Sequence, residues 1–107
     1  MSIYEMYTGD DGATHIDELS MDSKPSLGEL ESVEGIYLRQ RADEHMEAHP
    51  APEERWLVVI SGFMEMTPVG GEPHRFGAGD IIRISDTTGT GHTTTFFDNP
   101  VYAVMPM

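Results

Sequence analysis

Arg55-Trp56-Leu57-Val58-Val59-Ile60-Ser61-Gly62, followed at once by Phe63-Met64-Glu65-Met66-Thr67, is the stretch whose reading decides the fold. Its first half is rich in β-branched and aromatic residues and stops at a glycine, so it reads as a strand. The middle is apolar on both faces, as expected when one face lines a core and the other meets a second layer. Alternation assigns Arg55, Leu57, Val59 and Ser61 to one face and Trp56, Val58 and Ile60 to the other. Gly62 is expected to end this strand, with a second short one resuming at Phe63.

Working outward, the same rhythm of short apolar runs and turns continues. Pro68-Val69-Gly70-Gly71-Glu72-Pro73 reads as a hairpin connection, His74-Arg75-Phe76 as a short strand and Gly77-Ala78-Gly79-Asp80 as a turn. Ile81 to Ile84 is a strand, Ser85 to Gly91 a loop, and His92 opens a Thr-rich strand through Phe97. Asp98-Asn99-Pro100 is expected to turn before a last strand from Val101 to Met105. Upstream, Gly35 to Arg41 alternates as a strand. The polar residues 42–54 read as a loop, since Pro50 biases His49 away from helical angles, although Ala42 to Ala48 has room for a helical turn. About seven short strands after residue 34 predict an all-β barrel or sandwich. Before it, Ile3 to Tyr7 is a short strand ended by Thr8 to Gly12, and residues 20–32 a loop holding one helical turn. The expected organisation is an N-terminal strand-and-loop extension over 1–33 and a barrel over 34–107.

A chain of 107 residues suits one domain with one core. Without cysteine it has no disulfide, thiolate metal site or cysteine nucleophile. The start of the chain lacks the basic and apolar regions of a signal peptide, and the longest apolar run is too short to span a bilayer, so a cytoplasmic protein is expected. The formal net charge is −13, and residues 1–54 hold 14 of the 19 acids but three of the six bases. Such a surface repels phosphate backbones and anionic lipid, which argues against nucleic-acid and membrane partners.

Three features resemble the cupin family, a β-barrel jelly-roll superfamily. His49 followed by a loop and the β-run to Gly62 is similar to the first cupin motif. Phe76-Gly77-Ala78-Gly79-Asp80-Ile81-Ile82 resembles the segment between the two motifs, and Gly89-Thr90-Gly91-His92 the glycine and histidine of the second. The likeness covers roughly residues 34–107 and is nearest to small bacterial cupins of uncharacterised function. It implies an antiparallel cupin-type barrel with a pocket that His49 and His92 face. Metal-binding cupins typically offer His-X-His, then Glu, then the second-motif His. Here Glu47-Ala48-His49 stands in place of the first pair, and the usual Glu position falls on Arg55, whose guanidinium has no lone pair to give a metal.

Two site chemistries follow. In the first, Arg55, His49 and His92 hold a small, anionic molecule, with Arg55 gripping a carboxylate or phosphate. In the second, His49 and His92 bind one divalent ion (iron, zinc, manganese or nickel) with Glu47 or His45 completing the set, as in a dioxygenase or isomerase. Arg55 has a plainer alternative, an ion pair with Glu53, Glu54 or Glu47 at the rim. His15 and His74 read as surface residues, the eight methionines as core filler, and Asp86-Thr87-Thr88 as a turn. Whether the protein is an enzyme stays open at this point, and a homodimer is expected in which residues 2–7 pair with a sheet edge.

Overall fold

The computed structural model describes residues 1–29 and 31–107. Eight strands carry the fold: β1 (Ile3–Thr8), β2 (Thr14–Leu19), β3 (Tyr37–Gln40), β4 (His45–His49), β5 (Arg55–Pro68), β6 (His74–Phe76), β7 (Ile81–Ile84) and β8 (His92–Pro106). A single 3-10 turn at Pro25–Gly28 sits in the loop expected over 20–32, of which residue 30 lies outside the described residues. The described residues contain no α-helix, so the all-β class holds. No helix among them is long and apolar enough to cross a membrane.

The spine is the antiparallel pair β5–β8, in register from Arg55↔Pro106 to Pro68↔His92. Around one half of this ribbon the sheet continues through β7, β1 and β2 on one side and β3 on the other. Around the other half β6 joins β5 and β4 joins β8. The two halves fold towards each other, and Leu57 and Val59 from one meet Met64, Met66 and Phe96 from the other in the buried core. Burying side chains of this size is worth about 1.5–3 kcal/mol each.

Three expectations need correction. The strand from Arg55 does not end at Gly62, and Asp98-Asn99-Pro100 does not separate two strands. Both sites are irregularities inside continuous strands, with register shifts on either side of Ser61 and left-handed backbone at Gly62 (φ 73°), Asp98 (φ 59°) and Asn99 (φ 45°). The shift reverses the parity of β5, so that Leu57 and Val59 point inward before it and Met64 and Met66 after it, while Ser61 is exposed. A Cβ on Gly62 would lie 2.7 Å from the Pro100 Cα, so glycine is what lets the ribbon bend there.

The second correction is to residues 42–54, where His45–His49 forms β4 against β8 in place of a loop. The third concerns closure and direction. The sheet is mixed, because β1 runs parallel to β7 while the other pairings are antiparallel. It does not close into a barrel, because its order β2-β1-β7-β5-β8-β3 ends in two strands that do not pair with each other. A parallel neighbour needs a long crossover, and everything between β1 and β7 supplies it. Residues 1–33, expected as an extension, thus add two strands to the main sheet, with Met6 wholly buried. The edge that residues 3–6 pair with is β7 of their own chain.

Candidate functional site

Between the two halves lies a cavity of about 510 Å³. Its walls come from alternating positions of the ribbon: Arg55, Leu57, Met64 and Met66 on β5, and His92, Thr94 and Phe96 on β8. The parity reversal at Gly62 is what turns both ends of β5 towards the same space.

His49 and His92 are placed together by a second irregularity. In β4, Met46 pairs with Thr94 but His49 pairs with His92, one residue out of step. The extra residue turns both Met46 and His49 into the cavity and leaves Glu47 and Ala48 exposed. Gly91 (φ 74°) allows the close approach, since a Cβ there would stand 2.3 Å from the His49 carbonyl carbon. The two imidazole centroids end 5.9 Å apart with planes tilted by 33°.

Each ring is held by its Nδ1. The His92 Nδ1–H donates to Asp86 Oδ2 at 2.6 Å, and the same oxygen accepts the Thr14 hydroxyl at 2.9 Å. Asp86 is completely buried (0% exposed), and its other oxygen, Oδ1, has no partner. The Asp86 carbonyl also accepts the Ala51 N–H, which ties the loop before β8 to the segment after β4. The His49 Nδ1–H donates to the carbonyl of Glu47 at 2.9 Å.

Three of the six basic residues of the chain, Arg39, Arg41 and Arg55, line this cavity. Arg41 is engaged: its Nε donates to Glu44 at 2.7 Å and its guanidinium lies 4.6 Å from the Phe96 ring centroid. Burial opposes the Arg41 charge, but hydrogen bonds with Glu44 and Tyr102 outweigh it and hold the group above its ordinary pKa. Arg55 has a loose partner, with Nη2 3.5 Å from a Glu53 carboxylate that is itself well exposed. The rim pair expected for Arg55 and its place on the cavity wall therefore coexist. Arg39 has no carboxylate within 4.0 Å among the described residues.

His45 and Glu47, expected as metal ligands beside His49 and His92, do not line the cavity. His45 is exposed, with its Nδ1 2.7 Å from the Thr95 hydroxyl. Among the described residues no group of three or more His, Asp or Glu side chains is placed to hold a metal ion. Two imidazoles fall short of the three or four protein ligands that hold zinc or iron, so the donor set does not fit a resident divalent ion. His15 and His74, both expected at the surface, are both half-buried, His15 beside Asp11 and His74 stacked on Phe76 with centroids 4.6 Å apart.

Sequence reasoning reads Asp86 as part of a turn and finds nothing there to support a role in the site. An aspartate before two threonines carries the signature of a turn, and nothing local shows that a residue 72 positions upstream reaches it. The one available signal was its place six residues before His92. Thr14, Arg39 and Tyr102 were missed for the same reason. Comparison with known protein families, with curated proteins and with solved structures finds no match.

Proposed function

We propose that this is a cupin-type pocket protein that binds a small anionic molecule between the two halves of its bent sheet. One observation carries the reading: a chain of net charge −13 places three of its six basic residues around a single cavity. Glu34 and Glu53 share the lining, so the cleft carries one net positive charge in a chain that is otherwise strongly anionic. That local excess, with apolar walls, favours an anion there over the rest of the surface. Arg55 and Arg39 supply the cation for a carboxylate or phosphate, and a guanidinium can grip either through two parallel hydrogen bonds. Leu57, Met64, Met66 and Phe96 supply the apolar wall, a division of labour typical of small-molecule sites. His49 and His92 form the polar end. The bent β5–β8 ribbon and the order of the His49, Gly62 and His92 segments support the cupin-type reading.

The test is calorimetric titration with a small apolar carboxylate, p-toluate, against 4-methylacetophenone, which has a similar shape, no charge and no hydrogen-bond donor. The carboxylate is expected to bind at least about ten-fold more tightly, and Arg55→Gln to remove most of that preference. Equal affinity for the two would reject the anion site.

A second reading, a metal-dependent enzyme, is favoured by one feature. Both rings are tied through Nδ1 to an acceptor, the arrangement that orients metal-bound histidines. The missing third donor weighs against it. We also propose a homodimer. β3 is a sheet edge with one free side, and its residues Tyr37 and Leu38, with Ile36 just before them, are all exposed.

A further inference from the structure

The hydrogen-bond partners of the two histidines determine what the cavity asks of its ligand. A backbone carbonyl can only accept, so the proton between His49 and Glu47 belongs to the His49 Nδ1. A carboxylate accepts in the same way, so the His92 Nδ1 carries its proton towards Asp86. In the neutral ring the other nitrogen is then a bare lone pair. Each ring, when neutral, thus turns an acceptor, Nε2, away from the partner that holds it. Neither Nε2 makes a hydrogen bond among the described residues, and neither is sealed off, because the buried side-chain atom left without a partner is Asp86 Oδ1. With both residues on the cavity wall, the open side is the cavity.

This arrangement is costly to keep. Burying a carboxylate with one oxygen unpartnered opposes folding, and the bonds the side chain does make are to His92 and the Thr14 hydroxyl. What Asp86 accomplishes there is to fix which nitrogen of His92 is protonated. The Glu47 carbonyl does the same for His49 from the bulge of β4.

We infer that the ligand is a small carboxylate that also carries a hydrogen-bond donor, a hydroxyl or an ammonium group, aimed at the paired Nε2 atoms of His49 and His92. The inference rests on the anion-binding reading above and specifies its other pole. A carbonyl in the same place would set lone pair against lone pair. An unsubstituted carbon would leave two acceptors dry and unpaired, and sites built to hydrogen-bond a substrate group reject analogues that lack it.

Two sets of probes, differing in the distance between donor and carboxylate, test this by calorimetry. One is α-hydroxyisocaproate, leucine, α-ketoisocaproate and isocaproate. The other is p-hydroxymethylbenzoate, p-aminomethylbenzoate, p-formylbenzoate and p-toluate. In at least one set, a donor-bearing member is expected to bind at least about ten-fold more tightly than both the carbonyl and the unsubstituted member. The comparison of hydroxyl with ammonium identifies the donor. Equal binding throughout, or preference for the carbonyl members, overturns the inference and leaves the anion site standing. Absence of binding by every probe overturns both. Independently, long-range proton–nitrogen NMR correlation of the wild-type protein is expected to show both neutral rings protonated at Nδ1. Asp86→Asn is expected to release His92 from that tautomer and shrink the donor preference. A proton on Nε2 of either ring in the wild type, or a divalent cation held by both Nε2 atoms through dialysis, also overturns it.

Discussion

Gly91 and His49 are packed backbone to backbone, so closely that a Cβ on Gly91 would stand 2.4 Å from the His49 carbonyl oxygen. The contact brings the first residue of β8 beside the last of β4 and sets the two imidazoles side by side. Gly91→Ala is therefore expected to cost more than the loss of left-handed backbone freedom alone. That freedom is worth about 1 kcal/mol, and Gly70→Ala, at φ 78° with open space around it, is the control that isolates it. Urea denaturation should show Gly91→Ala losing at least about 2 kcal/mol and Gly70→Ala clearly less. Equal losses would mean that the contact yields without cost.

Thr14 and Asp86 join the N-terminal hairpin to the site through one buried hydrogen bond. Thr14→Val keeps the shape and removes the donor, and is expected to lose about 1–2 kcal/mol while weakening carboxylate binding little. Asp86→Ala strands both the Thr14 hydroxyl and the His92 Nδ1–H and is expected to lose more. In the double mutant the two losses should fall well short of adding, because they report one network. Additive losses would show that Thr14 stabilises the hairpin without help from Asp86.

Metal content follows from the donor set. Elemental analysis of the purified protein is expected to find no stoichiometric iron, zinc, manganese or nickel. One equivalent that disappears in both His49→Ala and His92→Ala would establish the metal-dependent reading instead.

The Tyr7 phenol donates to Asp17 at 2.8 Å, and this bond, helped by burial and by the surrounding carboxylates, raises its pKa above 10.0. A raised value means the fold favours the protonated phenol. Its contribution to stability is complete below pH 10 and is lost as pH climbs through the raised value. Tyr7→Phe is thus expected to lower stability at pH 8 and to match wild type more closely as the pH passes well above 10. A difference that stays constant across that range would contradict the linkage.

The β3 edge predicts an oligomeric state. Light scattering at micromolar concentration is expected to report a dimer, and Leu38→Glu, which puts a charge on a side chain 72% exposed in the monomer, to reduce it to a monomer. A wild-type monomer would remove the dimer proposal. A dimer untouched by Leu38→Glu would move the interface away from β3.

The all-β class was legible because β propensity and turn chemistry are local: each short run between glycines and prolines announces itself without its neighbours. The sequence determined in this way nearly every strand after residue 54, the pocket-facing parity of Arg55 and Leu57, and a structural break at Gly62. It did not determine what kind of break that was. A glycine between two apolar runs looks the same whether the chain turns back or bends within one strand, and the register against Pro100 settles which. The same holds at β4, where a one-residue slip against β8 turns His49 inward and Glu47 outward. Only the tertiary structure decided that the N-terminal hairpin joins the main sheet, that three arginines share one cavity, and that Asp86 stands behind His92. These are relationships between residues distant in the chain, formed when pairing of strands buries a common core, and periodicity within a segment carries no record of them.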